Sequence, residues 1–185
     1  MGKIILVTGG ARSGKSSFAE KLALKIGNGR AAYVATAQIF DNEMNFRVKL
    51  HKERRGDNWR TFEAPFDAEK EILAAAENFN AILFDCVTIY VSNFLCNENL
   101  DDERLLYDNL RGLIQKLINA AKNSSATTIF VTNEVGFGIV PENKLARRFR
   151  DLAGLANQML AAQADKVFLT VAGIAIDIKK LEEAI

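Results

Sequence analysis

The first stretch able to do chemistry is Gly9-Gly10-Ala11-Arg12-Ser13-Gly14-Lys15-Ser16, which fits the pattern G-x-x-x-x-G-K-[ST] in full. Glycines let the backbone approach a ligand closely, and successive N–H groups of such a loop form a concave site for anions. Lys15 supplies a charge for the β- and γ-phosphates of a nucleotide, and the Ser16 hydroxyl is suited to holding Mg²⁺. The motif therefore predicts a nucleotide-binding P-loop rather than a glycine-rich turn that merely joins two elements.

A second candidate for the same site is Asp85, which ends the apolar run Ala-Ile-Leu-Phe that begins at Ala81. P-loop enzymes place an acid at the end of a buried strand to hold the metal of the bound nucleotide. An acid in this position also caps a following helix, so the run alone does not decide between the two roles. Paired with the loop, it predicts Ser16 and Asp85 as the Mg²⁺ ligands.

The only histidine of the chain, His51, lies in a highly charged segment over residues 38–55. If this segment is helical, Arg47, His51 and Arg55 are four residues apart and stack on one side. An imidazole between two arginines is held toward its neutral, nucleophilic form, and the arginines can neutralise a polyphosphate. On spacing alone, a half-buried histidine packed on an apolar helix face is the favoured interpretation, and a solvated basic face explains the arginines about as well. The helix also carries a second apolar strip, which is typical of a helix that is sandwiched or shared with another subunit.

These residues must be positioned by a regular alternation of strands and helices. Short apolar runs without polar alternation are typical of strands covered on both faces, as in a parallel sheet. The predicted strands are 4–8, 31–35, 81–85, 127–132 and 166–171, with shorter ones at 61–63 and 173–180. The predicted helices are 15–26, 38–55, 67–77, 101–122 and 141–163, with Pro141 in the first turn of the last one. The pattern predicts an α/β fold with a mostly parallel sheet, in one domain over residues 1–185.

Composition narrows the class of protein further. The 185 residues are 49% hydrophobic and 25% charged, as expected of a compact domain with a core. The formal net charge of +1 gives no general case for binding nucleic acid or an anionic membrane. Two cysteines cannot build a disulfide framework, and no apolar run reaches the 18 residues of a membrane span. We therefore expect a cytoplasmic protein.

Five segments together resemble one known family. They are VTGGARSGKS from Val7, YVATAQ from Tyr33, DCVT from Asp85, VTNEVGFGIVPEN from Val131 and ARRFRDLAGLANQ from Ala146. In these segments, and in His51-Lys52 followed by WRTFE, the chain resembles the bifunctional adenosylcobinamide kinase/adenosylcobinamide-phosphate guanylyltransferases of cobalamin biosynthesis. The likeness covers nearly the whole chain with similar spacing and implies a P-loop NTPase fold of the RecA-like kind.

The resemblance implies two activities. ATP or GTP phosphorylates the aminopropanol hydroxyl of adenosylcobinamide, and GTP then donates GMP to that phosphate, giving adenosylcobinamide-GDP and pyrophosphate. In the family the GMP passes through a covalent histidine intermediate, and His51 is the matching position. The resemblance also implies a homotrimer. The implied nucleotide contacts are Gly9, Gly10, Ala11, Arg12, Ser13, Gly14, Lys15, Ser16, Ala35, Thr36, Ala37, Lys52, Glu53, Arg54, Arg55, Glu63 and Asp85.

Three other functions remain open at this stage. The first is a P-loop kinase of another small alcohol, in which His51 is structural. The second is a switch or motor NTPase, although the only Asn-Lys pair, Asn143-Lys144, lacks the aspartate of a guanine-reading N-K-x-D motif. The third is a nucleic-acid binder that uses residues 51–55 as a basic strip, which the near-zero net charge disfavours.

Overall fold

A computed structural model describes residues 1–38, 56–98 and 102–183 and contains one seven-stranded sheet of order β3-β2-β4-β5-β1-β6-β7. The first six strands are parallel, and β7 pairs antiparallel with β6. The strands are β1 Lys3–Gly9, β2 Ala31–Ala35, β3 Trp59–Glu63, β4 Ala81–Asp85, β5 Thr127–Asn133, β6 Lys166–Val171 and β7 Ile174–Asp177.

Helices cover both faces of this sheet. They are α1 Lys15–Ile26, α2 Ala68–Ala76, α3 Val87–Asn97, α4 Glu103–Asn123 and α5 Lys144–Gln163, with short 3₁₀ turns at Gly56–Asn58 and Ile178–Leu181. On one face Ile5 and Val7 of β1 pack with α1. On the other face Ile4 and Leu6 join the larger core formed with α2 to α5. Successive strand residues point to opposite faces, so β1 is buried by helices on both sides.

The predicted α/β class with a mostly parallel sheet is confirmed. The P-loop strand β1 and the Asp85 strand β4 are not neighbours, because β5 lies between them. Parallel strands place all their carboxyl ends at one edge, and there the loops after β1, β2 and β4 meet. No helix in the three described ranges is long and apolar enough to cross a membrane.

The structure differs from the predicted elements in three places. The last helix does not start at Pro141 but at Lys144, because Asn143 caps it by accepting a hydrogen bond from the Ala146 N–H at 3.1 Å. Helix α3 was not predicted, and the terminal strand is shorter than the predicted 173–180. The predicted helix over residues 38–55 lies almost entirely outside the described residues.

Candidate nucleotide-binding site

The P-loop connects the end of β1 to the start of α1 in the way that its sequence predicts. Gly9 is the last residue of β1, and Lys15 is the first of α1. Gly14 has φ 94°, and a Cβ there would lie 3.0 Å from the Cα of Gly173. A glycine is therefore required by conformation and by space. The loop turns back on itself where the Ser13 N–H donates to the Gly10 carbonyl at 3.3 Å.

The loop is fixed to the turn between β6 and β7. The buried hydroxyls of Ser13 and Thr170 are hydrogen-bonded at 2.9 Å. The Thr170 hydroxyl oxygen also lies 3.1 Å from the Thr8 carbonyl, to which it donates. The Gly173 N–H donates to the Ser13 carbonyl at 2.9 Å. These contacts hold the loop from both sides and preorganise its N–H groups for phosphate.

Lys15 lies over the loop, where a phosphate charge is expected. It is buried, and its Nζ donates to the Gly10 carbonyl at 3.1 Å. Burial lowers the pKa of the Lys15 ammonium, while the neighbouring Asp85 carboxylate acts in the opposite direction. The nearby carboxylate thus favours the charged form that phosphate binding needs.

Asp85 is held at the same edge by the register of the sheet. Ala35 of β2 pairs with Asp85 on one side and with Glu63 on the other, so three carboxyl-terminal strand ends lie side by side. The Tyr33 hydroxyl donates to Asp85 Oδ2 at 2.9 Å, which fixes the orientation of the carboxylate. The sequence places Tyr33 only in the family segment that begins YVATAQ, and its contact with Asp85 becomes apparent only in the structure.

Thr36 connects the segment after β2 to the segment after β4. Its hydroxyl accepts from the Cys86 N–H at 2.8 Å and lies 3.0 Å from the Cys86 carbonyl. The Asn93 side chain donates to the Thr36 carbonyl at 2.7 Å. Burial raises the pKa of the Cys86 thiol to about 11, so it is a neutral packing group at neutral pH. In this structure Thr36 therefore positions the neighbourhood of Asp85, and its predicted contact with the nucleotide stays a prediction.

The oxygen groups at this edge fit Mg²⁺. Ser16 offers a hydroxyl and Asp85 a carboxylate, and both are hard oxygen ligands of the kind that Mg²⁺ prefers. In the described part of the chain, no three His, Cys, Asp or Glu side chains converge into a metal cluster. Mg²⁺ at nucleotide sites is usually bound through one or two carboxylates, water and the phosphates of the substrate, a role that the Asp85 carboxylate and the Ser16 hydroxyl suit.

The structure brings many of the predicted site residues to one edge of the sheet. Gly9 to Ser16, Ala35 to Ala37, Glu63 and Asp85 all lie at the carboxyl ends of parallel strands, in the loops that follow them or in the first turn of α1. His51 and residues 52–55, that is Lys52, Glu53, Arg54 and Arg55, lie outside the described residues. The sequence analysis missed Thr170 and Asn93 because they reach the site from distant parts of the chain.

A family model and full-length relatives of known name both match this chain. The family model of cobinamide kinase / cobinamide phosphate guanyltransferase matches residues 5–178. The bifunctional adenosylcobalamin biosynthesis protein CobU of Salmonella typhimurium is 48% identical, with 95% of this chain and 99% of that protein covered. CobP of Pseudomonas aeruginosa, which has the same descriptive name, is 38% identical, with 94% of this chain and 96% of that protein covered.

Solved structures with a similar chain path are far more distant in sequence. The flagellar accessory protein FlaH of Methanocaldococcus jannaschii is 15% identical with a TM-score of 0.48, covering 94% of this chain and 74% of that one. The RadB recombinase is 18% identical with a TM-score of 0.48, covering 90% of this chain and 73% of that one.

Proposed function

Because this chain belongs to the cobinamide kinase / cobinamide phosphate guanyltransferase family, we propose that it phosphorylates adenosylcobinamide and then transfers GMP from GTP to the product. The observation that carries the proposal is one edge of the sheet at which a formed P-loop, the buried Lys15 and the oriented Asp85 meet. These groups suit the binding of a nucleoside triphosphate. The match to the family over nearly the whole chain indicates that cobinamide is the acceptor.

The first reaction is a phosphoryl transfer from ATP or GTP. The aminopropanol hydroxyl oxygen of adenosylcobinamide attacks the γ-phosphorus, the bond between that phosphorus and the β,γ-bridging oxygen breaks, and the hydroxyl proton is released. Positioning and neutralisation of charge supply most of the catalysis in such reactions. The P-loop N–H groups and Lys15 do both, and Lys15 is placed for this by its contact with the Gly10 carbonyl at 3.1 Å.

Mg²⁺ bound to the nucleotide is part of this proposal. Ser16 and Asp85 would hold it, and the ion would neutralise charge on the β- and γ-phosphates. The Tyr33 hydroxyl donates to Asp85 Oδ2 at 2.9 Å and so helps to orient the carboxylate that would hold the ion. Asp85 is the last residue of β4, and Ser16 lies at the start of α1 next to the P-loop. The sheet and the P-loop therefore set where both ligands lie.

The second reaction transfers GMP in two displacements. An imidazole nitrogen of His51 attacks the α-phosphorus of GTP, and the bond to the pyrophosphate oxygen breaks. A phosphate oxygen of adenosylcobinamide phosphate then attacks the same phosphorus and releases His51. A covalent intermediate means that GTP and the corrinoid need not be bound at the same time. The role of His51 is supported by the family resemblance, as are the nucleotide contacts proposed for residues 52–55.

A labelling experiment tests the covalent step. We expect the wild-type protein, incubated with GTP labelled at the α-phosphate and then denatured, to retain label that acid releases and base does not. His51→Ala should retain none but should still phosphorylate adenosylcobinamide. Lys15→Ala should lose both activities, because both use the P-loop. Absence of label on the wild-type protein, or label retained by His51→Ala, would refute the proposed histidine intermediate.

We also propose a homotrimer in the cytoplasm. The loop between β5 and α5 exposes Phe137 and Ile139 at 90% and 96% of their surface, as expected of side chains that pack against another subunit. Cys86 and Cys96 are both free thiols, which fits a reducing compartment.

A further inference from the structure

A cavity of about 660 Å³ lies on the sheet face opposite α1, outside the nucleotide-binding site described above. Thr8 of β1 lines it, together with Gly154 and Asn157 of α5 and Glu134 of the loop after β5. Thr8 is two residues after Leu6, so both side chains point to the face that α5 covers. The volume falls within the range of about 300–1,000 Å³ that is typical of small-molecule sites.

The cavity adjoins the beginning of the P-loop. Thr8 immediately precedes Gly9, and the Glu134 N–H donates to the Gly9 carbonyl at 3.1 Å. The same stretch of β1 therefore lines the cavity and begins the phosphate-binding loop. The cavity therefore lies beside the start of the phosphate-binding loop.

The mixed lining of the cavity includes two side-chain amides, which can recognise neutral polar groups. The Asn157 side chain is fixed, because its Oδ1 accepts from the Thr132 hydroxyl at 2.7 Å and its Nδ2 donates to the Asn133 carbonyl at 3.3 Å. A second N–H and a second lone pair of this amide remain for a ligand. Gln158 adds another amide, so donors and acceptors are both present.

Two further side chains add to this chemistry. The Thr8 hydroxyl oxygen is buried and has no hydrogen-bond partner among the described residues. A buried hydroxyl usually has a partner, so a ligand group is a natural one for it. Arg150 also lines the cavity and supplies a positive charge, with Asp151 Oδ1 at 3.6 Å from its Nε.

We propose that this cavity holds the acceptor substrate, specifically the aminopropanol arm and the adjoining carboxamide edge of cobinamide. The inference rests on the proposed function. Carboxamides need both donors and acceptors, which Asn157 and Gln158 provide. The arm ends in the hydroxyl that must reach the γ-phosphate, and the cavity opens onto the segment that leads into the P-loop. In the second reaction Arg150 pairs with the phosphate of cobinamide phosphate.

A pair of glycine variants tests the inference. A Cβ at Gly154 of α5 would meet nothing within 4 Å, and the same holds for Gly112 of α4. Gly154→Leu therefore fills the cavity without a clash against the backbone, whereas Gly112→Leu adds the same side chain away from it. Both variants replace a glycine inside a helix by leucine, and this replacement by itself stabilises the helix.

We expect Gly154→Leu to raise the KM for cobinamide about tenfold in the kinase assay. Its covalent uptake of GMP from GTP should equal that of the wild-type protein, and Gly112→Leu should resemble wild type in both assays. An unchanged KM for cobinamide would overturn the inference, and so would an equal loss of GMP uptake, which would make the cavity part of the nucleotide site. If the wild-type protein itself shows neither activity, the proposed function fails instead.

Arg150→Gln gives a second, independent measurement. We expect its KM for cobinamide phosphate in guanylyl transfer to rise by about tenfold, and its KM for unphosphorylated cobinamide to change much less, because only the phosphate carries charge. Equal changes in both values would contradict the assigned position of the phosphate. This result does not depend on whether Gly154→Leu folds.

Discussion

Ser13 is the residue through which the P-loop is joined to a distant part of the chain. Its hydroxyl contacts Thr170 at 2.9 Å, and its carbonyl accepts from the Gly173 N–H at 2.9 Å. The P-loop motif leaves the residue at this position unspecified, so the contact is a feature of this chain rather than of the motif. It explains how a loop with few side chains of its own is held in one conformation.

We predict that Thr170→Val weakens both stability and nucleotide binding. The change removes the donor to the Thr8 carbonyl and the partner of the Ser13 hydroxyl. A buried polar group left without a partner costs about 1–3 kcal/mol, so the free energy of unfolding should fall by that amount. Urea unfolding measures the stability, and titration calorimetry with GTP should show a several-fold weaker affinity.

The control is the same substitution at Thr128 of β5, which β1 separates from Thr170 of β6. Its side-chain oxygen is buried and has no hydrogen-bond partner among the described residues. Replacing it by a methyl group removes an unsatisfied polar atom, so Thr128→Val should be neutral or stabilising. Equal losses of stability in the two variants would show that the Thr170 contacts have no special role.

At the residue scale, the sequence predicts the groups that form one continuous motif. Gly9 to Ser16 are recognisable because phosphate binding requires them in consecutive positions. The contact of Tyr33 with Asp85 could not be predicted, since it depends on β2 and β4 being neighbours, which places the Tyr33 hydroxyl 2.9 Å from Asp85. The cavity beside the P-loop could not be predicted either, because β1, α5 and the loop after β5 meet only in the folded chain.

At the scale of elements, helix α3 shows where hydrophobic periodicity fails. Seven of its eleven residues are buried, so its sequence VTIYVSNFLCN has no continuous polar face. A helix that is apolar on most sides cannot be distinguished from a buried strand by periodicity. The amphipathic α1, α4 and α5 were predicted because each keeps one face in water.

The start of α5 depends on a cap that the sequence analysis placed incorrectly. Proline suits the first turn of a helix, but the Pro141 carbonyl accepts from Arg147 at 2.9 Å and lies before the helix. The N-cap is Asn143, which has extended dihedral angles and accepts from the Ala146 N–H. The asparagine cap, and not the proline three residues before the helix, thus determines where α5 begins.

We predict that Asn143→Ala lowers the free energy of unfolding by about 1 kcal/mol, the usual cost of losing an N-cap. Asn143→Asp should keep most of the stability, because its carboxylate still accepts from the helix N–H and interacts well with the positive end of the helix. Urea unfolding at one fixed protein concentration measures both variants. The cap assignment would be wrong if alanine and aspartate gave the same value.

At the scale of the whole molecule, the loop between β5 and α5 serves two surfaces. Its first residues, Glu134 and Gly136, line the cavity beside the P-loop. Its later residues, Phe137 to Val140, are exposed and mostly apolar. If these later residues pack against a second copy of the chain, assembly of the trimer and the shape of the acceptor cavity depend on the same loop.

We therefore predict that the double change Phe137→Ser, Ile139→Ser dissociates the proposed trimer. Burying each of these side chains against another subunit contributes about 1.5–3 kcal/mol, and every interface of a closed trimer loses that contribution. Sedimentation equilibrium should give the wild-type protein three times the mass of one 20.5 kDa chain and the variant one such mass. Leu73→Ser is the control, because Leu73 is a half-exposed residue of α2, outside this loop.

The control variant should keep the wild-type mass, since it removes an apolar side chain of comparable size from a different surface. A wild-type protein with the mass of one chain would refute the trimer, and a double variant that keeps three chains would place the interface elsewhere. The kinase assay on the dissociated variant measures whether the acceptor cavity changes when the loop loses its partner. A higher KM for cobinamide with unchanged binding of GTP is expected, because Glu134 and Gly136 of this loop line the cavity.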